Sequence, residues 1–298
     1  PLAITTEEDL TLQGNAQVVG AGGSVHANRD LDLIGRVRIA GDATATGDYD
    51  AGRQTEVGGQ GAGDTAPVPI PSLNPATFRG SADVVFAADG KVFDADGRLL
   101  ADGSYLGFDY SRGNWSWQSG AQPSGVLYFE GNLSVNSRTS TTWSATLIAT
   151  GSITIEGALR LAPATGMGIS LLAGTDIRIL GTPGSKVAGV VYAGEQIDLG
   201  GNTQYAGSFM AKGSGSLSRL VTANDVHGDV VIDYSGYDVP AVIGYAVSDL
   251  PAGRTFPEAR ATASIDGTRY VLSSICDYDG WISLAPLTTL RSLVGGEP

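Results

Sequence analysis

Apolar and polar positions alternate in short bursts along this chain, and glycine closes each burst. Asp9, Leu10, Leu12, Gly14, Val18 and Gly20 return 21 positions later as Asp30, Leu31, Leu33, Gly35, Ile39 and Gly41. The phrase comes back as Gly151-Ser-Ile-Thr-Ile-Glu-Gly157, Gly174-Thr-Asp-Ile-Arg-Ile-Leu-Gly181 and Gly194-Glu-Gln-Ile-Asp-Leu-Gly-Gly201, with a looser copy in Gly131-Asn-Leu-Ser-Val-Asn136. Strict alternation turns one face of a strand inward. Repeated at a period of about 20 residues, it describes a solenoid whose units bury their apolar faces only against their neighbours. The pattern therefore predicts an all-β fold, a right-handed parallel β-solenoid with a β-hairpin insertion and a C-terminal capping tail.

Four segments follow from where the pattern holds and where it breaks. Residues 1–51 read as the first rungs. Residues 52–125 read as a strap and an insertion: glycines and prolines from Gly52 to Pro75 support no ladder, and three Asp-Gly pairs (Asp89-Gly90, Asp96-Gly97, Asp102-Gly103) between aliphatic pairs read as hairpin turns. Residues 126–234 read as the main rungs. Their inward columns are expected to be Leu133, Ile153, Ile177, Ile197 and Val135, Ile155, Ile179, Leu199, with Ser134, Thr154, Arg178 and Asp198 facing outward. An exposed solenoid edge templates aggregation, so residues 235–298 read as a cap or a docking tail. That tail holds a strand-like Thr268–Ser273 and leucines at 284, 287, 290 and 293 spaced for a short helix.

Composition narrows the class. Glycine makes up 43 of 298 residues, close to twice the usual share, yet 42% of the chain is hydrophobic, enough for a core. With 18 basic and 31 acidic side chains the net charge is −13, which disfavours nucleic acid and anionic lipid as partners. Cys276 is the single cysteine, so no internal disulfide and no thiolate cluster can form. No apolar stretch is long enough to span a membrane. The chain opens at Pro1 without methionine, so a segment carrying a membrane anchor or secretion signal is expected to have preceded it.

The run Gly23-Ser-Val-His-Ala-Asn28, then Gly41-Asp-Ala-Thr-Ala-Thr-Gly47, then the strap Val68-Pro-Ile-Pro-Ser-Leu-Asn-Pro75, then Ala82-Asp-Val-Val-Phe with Asp89-Gly90-Lys-Val, resembles the β-solenoid domain of unknown function carried by PilX-type pilus assembly proteins. Gly125-Val-Leu-Tyr-Phe-Glu-Gly-Asn-Leu-Ser-Val135, Leu147–Ile155, Leu172–Ile179 and Gly189–Ile197 are similar to the same domain, in the same order, so that the likeness covers roughly residues 1–245. The resemblance implies an extracellular, cell-surface protein with pilus subunits or other envelope proteins as partners, attached to the membrane only through an N-terminal helix that this chain lacks. It implies no catalytic residues. The chain departs from the pattern in having no cysteine pair near Trp115 and in its long tail.

Candidate chemistry is sparse. His26 and His227 stand near opposite ends of the repeat region without a serine elbow, and neither Gly59–Gly63 nor Lys212–Gly215 has the strand–loop–helix setting of a phosphate loop. Asp94 and Asp96 are weak calcium candidates, lacking the third oxygen ligand and the later glutamate. Asp176 and Glu195 precede successive strands and could form the paired acids of a glycosidase. The densest contact candidate is aromatic: Phe108, Tyr110, Trp115, Trp117 and Trp143, with Trp115 and Trp117 alternating onto one strand face, a surface suited to a partner protein or to surface glycans. The sequence thus predicts a non-enzymatic, cofactor-free structural or adhesive component of a cell-surface pilus. The alternatives are a polysaccharide-active β-helix enzyme and a self-assembling filament subunit like the bactofilins.

Overall fold

A computed structural model describes residues 2–20, 23–213 and 223–234, together with three strands of the last segment. The first body ends at Tyr237 and is a β-solenoid, built almost wholly from parallel ladders. The expected columns are in register: Leu133, Ile153, Ile177 and Ile197 are consecutive partners, as are Val135, Ile155, Ile179 and Leu199, and all are buried. The 21-residue repeat pairs Leu10 with Leu31 and Leu12 with Leu33. The next repeat shortens, pairing Leu31 with Tyr49, because Gly20–Gly23 has no counterpart after Gly41.

Each turn contributes up to three strands. One face carries the alternating strands just described. A second carries Trp143, Leu161, Val187, Tyr205, Ile232, Val18 and Ile39 inward. The third is apolar on both sides of its strands. Its inner column runs Phe129, Ala149, Ala173, Ala193, Ala211, and its outer column runs Tyr128, Ile148, Leu172, Tyr192, the latter four also buried.

The chain does not climb the solenoid in one direction. Leu2–Thr6 pairs on one edge with Ser24–Ala27 and on the other with Phe209–Ala211. Leu10–Leu12 is likewise bracketed by Leu31–Leu33 and Asn224–Val226, and Gln17–Val19 by Arg38–Ile39 and Val231–Asp233. The N-terminus therefore sits in the middle of the stack, and the turns run outward from it to Gly61–Ala62. The chain then returns along the side to Val84 and winds back until residues 224–233 meet residues 10–19.

The strap that makes this return begins later than the glycines suggest. Glu56–Val57 pairs with Arg38–Ile39 and Gly61–Ala62 with Ala43–Thr44, so residues 52–62 are the last turn rather than a departure from the ladder. The glycines are there for closeness: a Cβ on Gly58 would lie 2.5 Å from the Ala40 carbonyl oxygen, and one on Gly63 2.7 Å from that of Gly47. From Thr65 the strap crosses the doubly apolar face. Val68 exchanges two hydrogen bonds with the Asn28 side chain (2.7 and 2.8 Å), Tyr192 Oη donates to the Pro71 carbonyl (2.8 Å), and Asp83 Oδ2 accepts from Val126 N–H (2.7 Å). Of the strap itself, Ile70, Pro71, Leu73 and Pro75 are buried.

At the far end Val84–Phe86, Lys91–Asp94 and Leu99–Asp102 form an antiparallel meander, and Phe108–Ser111 pairs with Asn114–Trp117. Val84–Phe86 and Asn114–Trp117 then join the solenoid in parallel, against Leu127–Phe129 and Asn132–Val135. The hairpins are thus the end cap. The edge along residues 224–233 is occupied by residues 10–19. The second body, Asp238–Pro298, holds the antiparallel strands Ala259–Ile265, Thr268–Ser274 and Ser283–Pro286. The strand at Thr268 is as expected, whereas Leu284 lies in a strand and not a helix; Cys276 and Leu287, Leu290 and Leu293 fall outside the described residues.

One buried amide rivets the first turn of the solenoid to its last-wound turn. Asn224, 1% exposed, accepts from Ile197 N–H at 3.0 Å and donates to the Asp9 carbonyl at 2.9 Å. Asn224→Ala leaves both backbone groups without that partner, and is expected to destabilise by about 2–4 kcal/mol in urea unfolding. A loss below about 0.5 kcal/mol would contradict the rivet, that being the range of an ordinary surface change.

Candidate functional site

The aromatic cluster is core, which corrects the expectation of a contact face. Phe108 and Trp115 are fully buried, Trp143 and Trp117 are 1% and 2% exposed, and Tyr110 is half-buried. The alternation of Trp115 and Trp117 does put both on one strand face, but that face looks into the end of the solenoid. Phe86 stacks on Phe129 at 4.5 Å and meets Trp115 edge-on at 5.0 Å, while Trp117 meets Trp143 edge-on at 4.8 Å. Trp115 Nε1–H donates to the Ala87 carbonyl (3.2 Å), and the Tyr110 hydroxyl to that of Ala88. An open end of parallel strands exposes a cross-section of aliphatic side chains, and large rings fill it with few residues.

Two of the carboxylates singled out from sequence, Asp176 and Asp94, serve the backbone. Asp176 is fully buried and its Oδ1 accepts from Gln196 N–H at 3.3 Å. The same bond recurs from turn to turn: Asp30 accepts from Asp48 N–H (2.8 Å), Asp42 from Gln60 N–H (2.8 Å) and Asn132 from Ser152 N–H (2.9 Å). These corner residues satisfy donors that the bent backbone leaves outside the ladder. Asp94 Oδ1 accepts from Asp96 N–H and Arg98 N–H at 3.0 and 2.8 Å, an Asp-Gly turn, which explains the calcium-like spacing.

His26 is nearly buried beneath the strap. Its Nε2 faces Asn28 Oδ1 at 2.9 Å and its Nδ1 faces Thr44 Oγ1 at 2.8 Å. The Asn28 amide nitrogen is engaged with Glu7 and Val68, so its oxygen accepts and His26 carries the proton on Nε2. Burial lowers the His26 pKa below the ordinary 6.5, against a smaller opposing pull from Asn28. His227 lies on a different face, with Nε2 3.0 Å from Asp198 Oδ1; Asp198 Oδ2 in turn pairs with Arg178 Nε at 3.1 Å, the neighbour expected from register.

Asp198, Asp225 and His227 are close enough together to hold a metal ion. The surrounding partners fit a hydrogen-bonded network better. Gln13 Nε2 donates to both Asp225 oxygens (3.0 and 2.8 Å), and the Arg178 guanidinium already compensates Asp198. A cation would have to displace that guanidinium. The network ties Arg178, Asp198, Asp225 and His227 to Gln13 across the junction of residues 2–19 with residues 209–233.

A shallow polar groove of about 810 Å³ lies on the second face, lined by Asn15, Gln17, Arg36, Arg38, Gln54, Glu56, Asn202, Asp229 and Val231. Stacked glycines with positive φ build it: Gly201 (83°), Gly228 (89°), Gly14 (77°) and Gly35 (93°), each followed by one lining residue. The ladder continues through these corners, with Asp229 N–H, Asn15 N–H and Arg36 N–H donating to the carbonyls of Gly201, Gly228 and Gly14. Left-handed backbone at each corner turns the next side chain outward. Sequence reading missed these residues. The signal was the residue after each repeat glycine: Asn202, Asp229, Asn15, Arg36.

No family model matches the chain, and no curated protein matches it. Among solved structures, the competence-associated pilin ComZ from Thermus thermophilus is similar at 15% identity and a TM-score of 0.37, over 78% of this chain and 69% of that one. A likeness of that size carries no argument about activity.

Two expectations follow from the buried groups. Trp115→Ala and Trp117→Ala should each destabilise by about 3–5 kcal/mol in chemical unfolding, as truncations of core aromatics do; a variant that stays as stable as wild type would return the rings to the surface. For His26, the unfolded chain takes up its proton near pH 6.5 and the folded chain only at lower pH, so stability falls with acidification through that value. Between about pH 7.5 and about pH 5.5 wild type should lose more stability than His26→Gln, and parallel curves would remove the assignment.

Proposed function

We propose that this chain is a non-catalytic structural component of a cell-surface pilus, a solenoid that carries a recognition surface on its exposed columns. The observation that carries the reading is how the polar corner residues are used. Asp30, Asp42, Asn132 and Asp176 bond the next turn, which makes them parts of the scaffold rather than acids or bases at a reacting centre. The pilus context comes from the sequence resemblance to PilX-type solenoid domains. A glycosidase role loses its acid pair, because Asp176 is sealed from solvent. An end-to-end filament needs both ends of the stack open, and the hairpins close one of them.

Two measurements test this. In the source cell the protein is expected in the sheared pilus fraction, and confinement to the cytoplasmic fraction would remove the pilus role. Incubated with pectins, alginates and neutral glycans, the purified chain is expected to release neither reducing ends nor unsaturated products. Release abolished by Asp176→Asn or Glu195→Gln would establish an enzyme instead.

A further inference from the structure

The groove on the second face is made of hydrogen-bonding groups held at a fixed repeat. Its lining comes in two parallel rows. One row is the corner residues Asn202, Asp229, Asn15 and Arg36; the other is the outward strand column Val231, Gln17, Arg38 and Glu56, which are successive register partners. Successive turns stand one strand spacing apart, about 4.8 Å, so a linear polymer lying along the axis meets polar side chains at every turn.

The pairing within the groove decides what it can take. Arg38 pairs with Glu56 at 2.9 Å, and Asn15 Nδ2 donates to Asp229 Oδ1 at 2.7 Å. Among the described residues, the Arg36 guanidinium has no acidic partner, and the amides of Gln17, Gln54 and Asn202 have no hydrogen bond. No aromatic residue lines the groove, so the apolar face of a neutral sugar has nothing to stack on. What remains is one free guanidinium fork among amides that both donate and accept. A planar guanidinium matches a carboxylate in bidentate geometry, and amides match vicinal hydroxyls.

We propose that this groove binds a linear, carboxylate-bearing polysaccharide, with a uronate carboxylate on Arg36 and sugar hydroxyls on Gln17, Gln54 and Asn202. The inference deepens the display reading, on which it rests for a polymer that is held and not cut. The net charge of −13 does not forbid it, because at physiological ionic strength charges beyond about 8 Å are largely screened and Arg36 acts locally. Lys186 and Arg160 continue the strand column past Gln204 and extend the basic character of that face.

Isothermal titration of the purified chain with a short oligogalacturonate, its fully methyl-esterified form and polyglutamate tests the site. The charged oligomer is expected to bind, and the ester and the polypeptide are not. Arg36→Ala should weaken binding at least about tenfold, Arg36→Lys should weaken it less, and the exposed acid Asp50→Asn on another face should leave it unchanged. Asp229→Asn removes a like charge and should tighten binding, whereas a groove for cations would respond in the opposite sense. All three positions are exposed, so melting temperatures should stay with wild type. Absence of binding to the oligogalacturonate, equal binding of polyglutamate, or an unchanged affinity in Arg36→Ala overturns the proposal. Those failures leave the display reading standing, while cleavage of the oligomer would overturn that reading and leave the site.

Discussion

The ladder between Leu2–Val19 and Phe209–Asp233 is the contact on which the rest depends. It joins segments more than two hundred residues apart in sequence. Either block alone would end in an unpaired parallel edge over a cross-section of aliphatic side chains, an arrangement that invites aggregation. Joined, each block covers the other. Backbone bonds such as Asn15 N–H to the Gly228 carbonyl (3.0 Å) and Gln17 N–H to that of Val230 (2.8 Å) continue the pitch across the junction. Asn224, the Gln13–Asp225 bonds and the Lys212–Glu7 ion pair at 3.4 Å fix its register. Loop-closure entropy grows only logarithmically with length, so closure over this distance is thermodynamically tolerable; a topology built from such distant pairings still folds slowly.

The strap follows from that junction. A chain that starts in the middle of a stack and grows outward must travel back to the other side before it can close, and residues 65–83 make the journey. Their prolines remove backbone donors, so the segment lies against the strands without adding to the ladder. The strands beneath it accordingly lost their alternation: Ile148, Leu172 and Tyr192 point away from the solenoid interior and are buried all the same. The cover is held at polar points, Asn28 and the Tyr192 hydroxyl, and His26 is enclosed with it. A neutral imidazole with both nitrogens occupied fits that enclosure better than a charged one.

Periodicity reached a definite limit here. The alternation in Ile153-Thr-Ile155 and Ile177-Arg-Ile179 specifies which side chains face inward and aligns neighbouring turns one to one, and both features are present in the structure. Periodicity carries no information on which distant turns adjoin, since any Gly-x-x-aliphatic rung stacks on any other. The junction was therefore invisible, and with it the pairing of residues 224–233 with residues 10–19. Gly58 and Gly59 misled in another way: a glycine demanded by close stacking looks, in sequence, like one that frees a loop. Trp115 and Trp117 were placed on the correct face of the correct strand, and what sequence could not supply was that this strand closes the end of the core. The doubly apolar strands, such as Val190–Ala193, were the unused clue to a covering segment.

The division between inner and outer columns bears on how such a molecule can carry function. Stability resides in the buried aliphatic columns, in the corner side chains that bond the next turn, and in the junction. Outward columns are left to vary at a spacing that the backbone holds constant. The faces of this chain have diverged accordingly. On the alternating face Asp225, Thr11, Asp32 and Asp50 follow one another, and Asp32 titrates above the usual carboxylate range through partial burial and the nearby Asp50, Asp30 and Asp9. Around the corner, Arg160, Lys186, Gln204, Val231, Gln17 and Arg38 follow one another as register partners. A net charge of −13 thus conceals two chemically distinct stripes on one rigid body. Because each stripe is a ladder of side chains on hydrogen-bonded strands, substituting one outward residue changes the chemistry of a face without disturbing the core that positions it.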